Sequence, residues 1–174
     1  MSDRVCLVSG VGPGTGSALV RRFAAGGYRV AMLARTESRL QELAEKVPGA
    51  TAFPCDVADE AQVAATTARI SRELGPVSVL VHNAVGCAWG DFQQIEPAVL
   101  QSNFSVNVMA LLHLARAVAP AMIDAGEGTI LVTGNTSAYR GKAAFAGFAP
   151  TKAAQRVLAE SMARALGPRG IHVA

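Results

Sequence analysis

Ser9-Gly10-Val11-Gly12-Pro13-Gly14-Thr15-Gly16 follows the apolar run Arg4-Val5-Cys6-Leu7-Val8 and precedes Ser17-Ala18-Leu19-Val20-Arg21-Arg22-Phe23-Ala24-Ala25. In the last stretch Leu19, Val20 and Phe23 share one face at helical spacing, with Arg21 and Arg22 outside it. Strand, glycine turn and helix in this order form a phosphate cradle. Glycines let the backbone turn tightly and let a diphosphate approach without meeting a Cβ, and the first N–H groups of the helix point at the anion. A tight strand-to-helix turn can use glycines without any ligand, so the context matters. Gly26-Gly27 stops the helix, and Tyr28-Arg29-Val30-Ala31-Met32-Leu33-Ala34 is an apolar run of strand length, completing a βαβ unit. The run therefore predicts a nucleotide ligand.

Composition narrows the class. At 174 residues, 51% hydrophobic and 17% charged, the chain can bury one substantial core, so a single domain over residues 1–174 is expected. The formal net charge of +3 is small and the basic residues are scattered, which predicts no nucleic-acid partner. Cys6, Cys55 and Cys87 are odd in number and lack metal-ligand spacing, and Asp3 stands where a signal segment would be basic and then apolar. A cytoplasmic protein without a metal site is the expectation. The longest apolar region, about Val106 to Ile123, is interrupted by His113, Arg116 and Pro120, so no membrane partner is expected.

Alternation continues along the chain. Thr36 can cap a helix to about Lys46, Pro48-Gly49 ends it, and Ala50-Thr51-Ala52-Phe53 is a short strand closed by Asp56. Asp59 can cap a helix to Leu74, followed by the strand Val77-Ser78-Val79-Leu80-Val81 and the polar loop His82-Asn83-Ala84. Pro97 starts a long helix toward Ile123, and Thr129-Ile130-Leu131-Val132-Thr133 is a fifth strand. A last helix covers about Thr151 to Leu166, and Gly170 to Ala174 begins a sixth strand. Such alternation predicts a parallel α/β sheet covered on both faces, with ligand at the carboxyl ends of the strands. Gly10 to Gly16, Arg35, Asp56, Asn83 and the segment after Thr133 all lie at such ends.

At the end of the second strand, Ala34 occupies the position where an acidic residue would bind a ribose 2′-hydroxyl, and Arg35 comes next. A guanidinium binds a 2′-phosphate with two charge-assisted hydrogen bonds, so NADP(H) is preferred and NAD(H) is the alternative. The plain alternative for Arg35 is a solvated strand-end residue.

The spacing Gly10, Gly14, Gly16 resembles the short-chain dehydrogenase/reductase pattern Thr-Gly-x-x-x-Gly-x-Gly, with Ser9 standing for the threonine. Asp56-Val57 looks like the family's adenine-contacting aspartate, and His82-Asn83-Ala84-Val85 resembles its Asn-Asn-Ala-Gly. Asn107 matches the helix asparagine of the catalytic tetrad, and Lys152 the lysine of Tyr-x-x-x-Lys. The resemblance covers nearly the whole chain. It implies a Rossmann-like doubly wound sheet, with Ser9, Gly10, Gly12, Gly14, Thr15, Gly16, Asp56, Val57, Asn83, Ala84 and Lys152 around the cofactor. It also implies a homodimer or homotetramer paired through the helices carrying Asn107 and Lys152.

Departures from the pattern concern the chemistry. Phe148 stands at the tyrosine position and Asn135 at the serine position, so the usual proton donor is absent. Tyr139 is the nearby tyrosine, but Ala143 lies four residues on and Lys142 three, so a pocket-wall or core role is expected for it. Val85 stands where the resemblance implies a glycine and is expected either to crowd the nicotinamide ribose or to shift the loop, and Pro150 is tolerable only in a first helical turn. Members of the family continue past the sixth strand into a substrate lid and a seventh strand, whereas this sequence stops at Ala174, so the expectation is either a truncated sequence or an open substrate pocket. Trp89 and Phe92 line either a substrate mouth or a core edge; His82 reads as a satisfied loop histidine and His113 as a helix histidine without metal partners. The expectation is an NADP(H)-dependent oxidoreductase acting on a carbonyl or alcohol through an atypical site. A catalytically impaired dinucleotide-binding sensor or partner subunit is the alternative.

Overall fold

The computed structural model describes residues 4–174; the opening of the chain, Asp3 included, lies outside the described residues. Strands and helices alternate as β1 (Val5–Ser9), α1 (Thr15–Ala25), β2 (Arg29–Ala34), α2 (Glu37–Lys46), β3 (Ala50–Pro54), α3 (Glu60–Leu74), β4 (Val77–His82), α4 (Pro97–Phe104), α5 (Ala110–Ala125), β5 (Gly128–Val132), α6 (Ala149–Leu166) and β6 (Ile171–Val173). All six strands pair in parallel in the order β3-β2-β1-β4-β5-β6. Chain order reverses between β1 and β4, which opens a crevice beyond their carboxyl ends. This is the doubly wound α/β sheet that the alternation predicts.

Successive side chains of a strand point to opposite faces, and both faces here are apolar. Val5 and Leu7 of β1 join Ile70 of α3 and Leu111 and Leu114 of α5 in one core. Cys6 and Val8 join Val20 of α1 and Leu40 of α2 in the other. Burying both faces removes the strands' alternation of polar and apolar residues and leaves the continuous apolar runs seen in the sequence.

Helix ends follow local chemistry. Asp59 caps α3 by accepting from the Gln62 N–H at 3.0 Å, as expected. Thr36 sits at the N-cap of α2, but its hydroxyl makes no capping bond. Pro150 lies in the first turn of α6, where its missing N–H costs nothing, and this helix begins at Ala149 rather than Thr151.

Three expectations change. The long helix from Pro97 is not uniform, because a π-helical turn over Ser105–Met109 separates α4 from α5. By length and composition residues 97–125 are apolar enough to cross a membrane, although Ala110, Leu111, Leu114, Val118 and Met122 bury their side chains in the core instead. His82 is the last residue of β4, fully buried, rather than a loop histidine.

Candidate functional site

The crevice at the β1–β4 reversal is an open cleft of about 720 Å³. Its floor is the glycine turn. Gly10 has φ +73°, and a Cβ there would stand 2.4 Å from the Ala84 backbone, so the turn and the loop after β4 pack backbone against backbone. A Cβ on Gly16 would meet the Gly10 carbonyl at 2.5 Å, which fixes the approach of α1 to the turn. Gly12 and Gly14 face open space. The first turn of α1 carries no acidic residue, and Gly14 at its N-cap supplies no side chain, so the helix start is free of competing negative charge.

Around this floor the cleft wall includes the expected Gly10, Gly12, Gly14, Thr15, Gly16, Arg35, Asp56, Val57, Asn83, Ala84, Asn135 and Lys152. Arg39, in the first turn of α2, stands on the same wall and escaped the sequence reading, because Arg35 precedes that helix and no helical spacing relates the two. Asp56 accepts from the Ala58 N–H at 3.0 Å, which makes it a turn residue as well as a wall residue. Asn83 donates to the Gly10 carbonyl at 2.9 Å and accepts from the Thr133 hydroxyl at 3.0 Å, tying the glycine turn to the end of β5. Val85 is exposed on the cleft wall.

Ser9, Asn107 and Phe148 lie behind the wall rather than on it. Ser9 is fully buried and pairs in register with His82; its hydroxyl shares a 3.0 Å hydrogen bond with the His82 Nδ1. The other edge of that ring, Nε2, faces the main chain of Asn107 and Val106 without meeting it in a full hydrogen bond. Burial, reinforced by the Lys152 charge, lowers the His82 pKa to about 4, so the ring is neutral at pH 7.

Asn107 is also fully buried, inside the π-helical turn. Its Oδ1 accepts from the Gly86 N–H at 2.8 Å, while its Nδ2 donates to the Gly86 carbonyl at 2.8 Å and to the Thr151 hydroxyl at 2.7 Å. A side chain with both ends committed holds the loop after β4 against the start of α6. Phe148 is the N-cap of α6, buried beneath Trp89 with ring centroids 5.4 Å apart. Trp89 also packs edge-on against Phe145 at 4.7 Å. Trp89 and Phe92 are exposed, and neither is on the cleft wall. Tyr139, far from a core position, is 77% exposed beneath the Arg156 guanidinium, 4.7 Å from its ring centroid.

Lys152 reaches the wall from the first turns of α6. Its Nζ donates to the Thr133 carbonyl at 2.7 Å and to Gln155 Oε1. Desolvation lowers its pKa to about 8, within range of proton exchange near neutral pH. Asn135 is exposed on the same wall and accepts from the Ser137 N–H at 2.9 Å, capping a short turn. Among the described residues no group of three or more His, Cys, Asp or Glu side chains is placed to hold a metal. His113 does find a carboxylate that its sequence neighbours did not reveal, Glu60 of α3 at 3.4 Å.

A parallel doubly wound sheet, a glycine cradle at its reversal point and a lysine at the far wall define a nucleotide-binding α/β protein of dehydrogenase type. The family profile described as short chain dehydrogenase matches residues 4–174, and the chain belongs to that family. It is 32% identical to L-xylulose reductase from Bos taurus over 99% of this chain and 70% of that protein. A short-chain dehydrogenase from Streptomyces avermitilis superposes with a TM-score of 0.94 at 31% identity, over 99% of this chain and 64% of that one. A gluconate 5-dehydrogenase from Burkholderia cenocepacia, solved with NADP and tartrate, gives 0.90 at 26% identity, over 99% and 69%. The chain thus spans less than two thirds of the Streptomyces protein. It spans 60% of the matching 2,3-dihydro-2,3-dihydroxybenzoate dehydrogenase of Bacillus subtilis.

Proposed function

We propose that this chain binds NADP(H) and serves an oxidoreductase that moves a hydride to or from a carbonyl or alcohol carbon. The observation that carries the reading is the glycine cradle with Arg35 at the end of β2 and Arg39 in the first turn of α2, on one wall with Lys152. The open space at Gly12 and Gly14 fits a diphosphate, because a Cβ there would point into the cleft. Two guanidiniums beside Ala34 fit a 2′-phosphate and offer no carboxylate to repel it. The Burkholderia relative's NADP complex agrees with this choice, and NAD(H) is the weaker alternative.

Bound at this cleft, the dinucleotide supplies or accepts the hydride. The chain's own residues position it and handle the proton. Asn83 ties the loop after β4 to the glycine turn and to Thr133, and Asn107 ties the same loop to the start of α6, so the cleft is held in shape from both sides. Phe148 has no exchangeable proton and Asn135 donates only an amide hydrogen bond, so the acid–base role falls to the Lys152 ammonium. In reduction it gives one N–H proton to the substrate oxygen as the hydride reaches carbon, and solvent then reprotonates the amine.

Phe148, packed under Trp89, supports a second reading, a dinucleotide-binding sensor or partner subunit without turnover. Calorimetry and kinetics separate the two. NADPH is expected to bind at least tenfold more tightly than NADH, and Arg35→Ala with Arg39→Ala to abolish that preference. NADPH oxidation over a panel of aldehydes and ketones supports the enzyme; binding without turnover on any of them supports the sensor. Absence of NADPH binding defeats both.

A further inference from the structure

The buried polar chain behind the cleft contains a residue that no part of the tetrad pattern supplies. Gln155 is 1% exposed and lies three residues after Lys152, on the same face of α6. Its Nε2 donates to the main-chain carbonyl of Asn107 at 2.7 Å, and its Oε1 accepts from the Lys152 Nζ. One amide therefore satisfies two groups that are costly to bury unpaired. The π-helical turn at Ser105–Met109 presents the Asn107 carbonyl, and the first turns of α6 present the ammonium.

We propose that Gln155 is the positioning residue of this site: its amide ties the Asn107 carbonyl to the Lys152 ammonium and so fixes where that ammonium stands at the cleft wall. The consequence for proton transfer rests on the oxidoreductase reading; the positioning itself does not. Thr133, the residue after β5, supplies the other acceptor, so the ammonium is held from two sides with one N–H left over. A rotatable lysine becomes a fixed donor. The charged and titratable groups around it are His82 from β4 and, on the wall of a second cavity that Lys152 and Gln155 share, Tyr139, Arg156 and Glu160. His172 of β6 is exposed.

The chain has three lysines, Lys46, Lys142 and Lys152, so the full protein labelled with ε-carbon-13 lysine gives a spectrum in which each titrates separately. Lys152→Arg identifies the resonance. Gln155→Met removes both the acceptor and the donor while keeping the volume, and it is expected to lower the Lys152 midpoint by about one pH unit. Gln155→Glu keeps the shape and places a carboxylate on the ammonium, raising the midpoint by about one to three pH units. If Gln155 only fills space, the methionine variant leaves the midpoint unmoved, and that result overturns the proposal. Should the methionine variant fail to fold, the glutamate variant decides: a rise well under one pH unit means that Oε1 does not touch Nζ. Calorimetry with NADPH on the unaltered protein is the independent arm, since loss of the cofactor reading leaves the lysine titrations as they are.

Discussion

His82 makes this fold acid-sensitive. Its ring is fully buried against Ser9, and its pKa falls from the ordinary 6.5 to about 4. The folded value lies below the unfolded one, so between those limits the unfolded chain binds the proton more readily. Stability is then complete above pH 6.5 and is lost as pH falls toward 4. A shift of that size corresponds to about 3 kcal/mol in total, of which about 2 kcal/mol is gone by pH 5. Because the imidazole is buried, solvent screening does not reduce this figure as it would at the surface. His82→Asn removes the titration and leaves every surface carboxylate unchanged. Urea unfolding of both proteins at pH 7 and pH 5 isolates the difference. The parent is expected to lose about 2 kcal/mol more than the variant over that interval. Equal losses refute the argument and place a charged or solvated imidazole in the native state.

Two further outcomes follow from packing. Gly10→Ala forces a Cβ into a left-handed backbone against the Ala84 main chain, costing about 1–2 kcal/mol for the conformation alone. The variant should show a lower Tm and at least tenfold weaker NADPH binding, because the loop carrying Asn83 must move; unchanged values for both would mean that the turn is not rigid. Phe148→Ala empties the space under Trp89 and is expected to cost about 3–5 kcal/mol. As Trp89 is the single tryptophan, its near-ultraviolet circular dichroism reports the loss of the ordered ring contact, and an unchanged band would contradict the packing.

Much of the fold was legible because its signals are local. Gly10 to Gly16, Asp59 and the apolar runs act through neighbouring backbone and a repeating period, which a sequence displays in order. The reading faltered where identity depends on distant partners. Ser9 and His82 are 73 positions apart, yet strand register makes them a buried pair, so a residue expected near the cofactor has its side chain sealed behind the wall. Tyr139, expected in a pocket wall or core, does line a second cavity but not the core: it is exposed, and its ring packs under the Arg156 guanidinium, which α6 brings across from outside the local window.

By itself, the sequence determined a parallel α/β sheet, a glycine cradle at the end of its first strand and the absence of a tyrosine hydroxyl at the position of Phe148. Each of these is a property of spacing or of residue type. Tertiary structure alone decided which groups meet. Asn107 clamps Gly86 and Thr151, Arg39 shares the cleft wall with Arg35, and Gln155 closes the gap between the Asn107 carbonyl and Lys152. Such contacts depend on how separate elements cross, and a hydrogen bond is made or lost over a few tenths of an ångström. No one-dimensional pattern carries that distance.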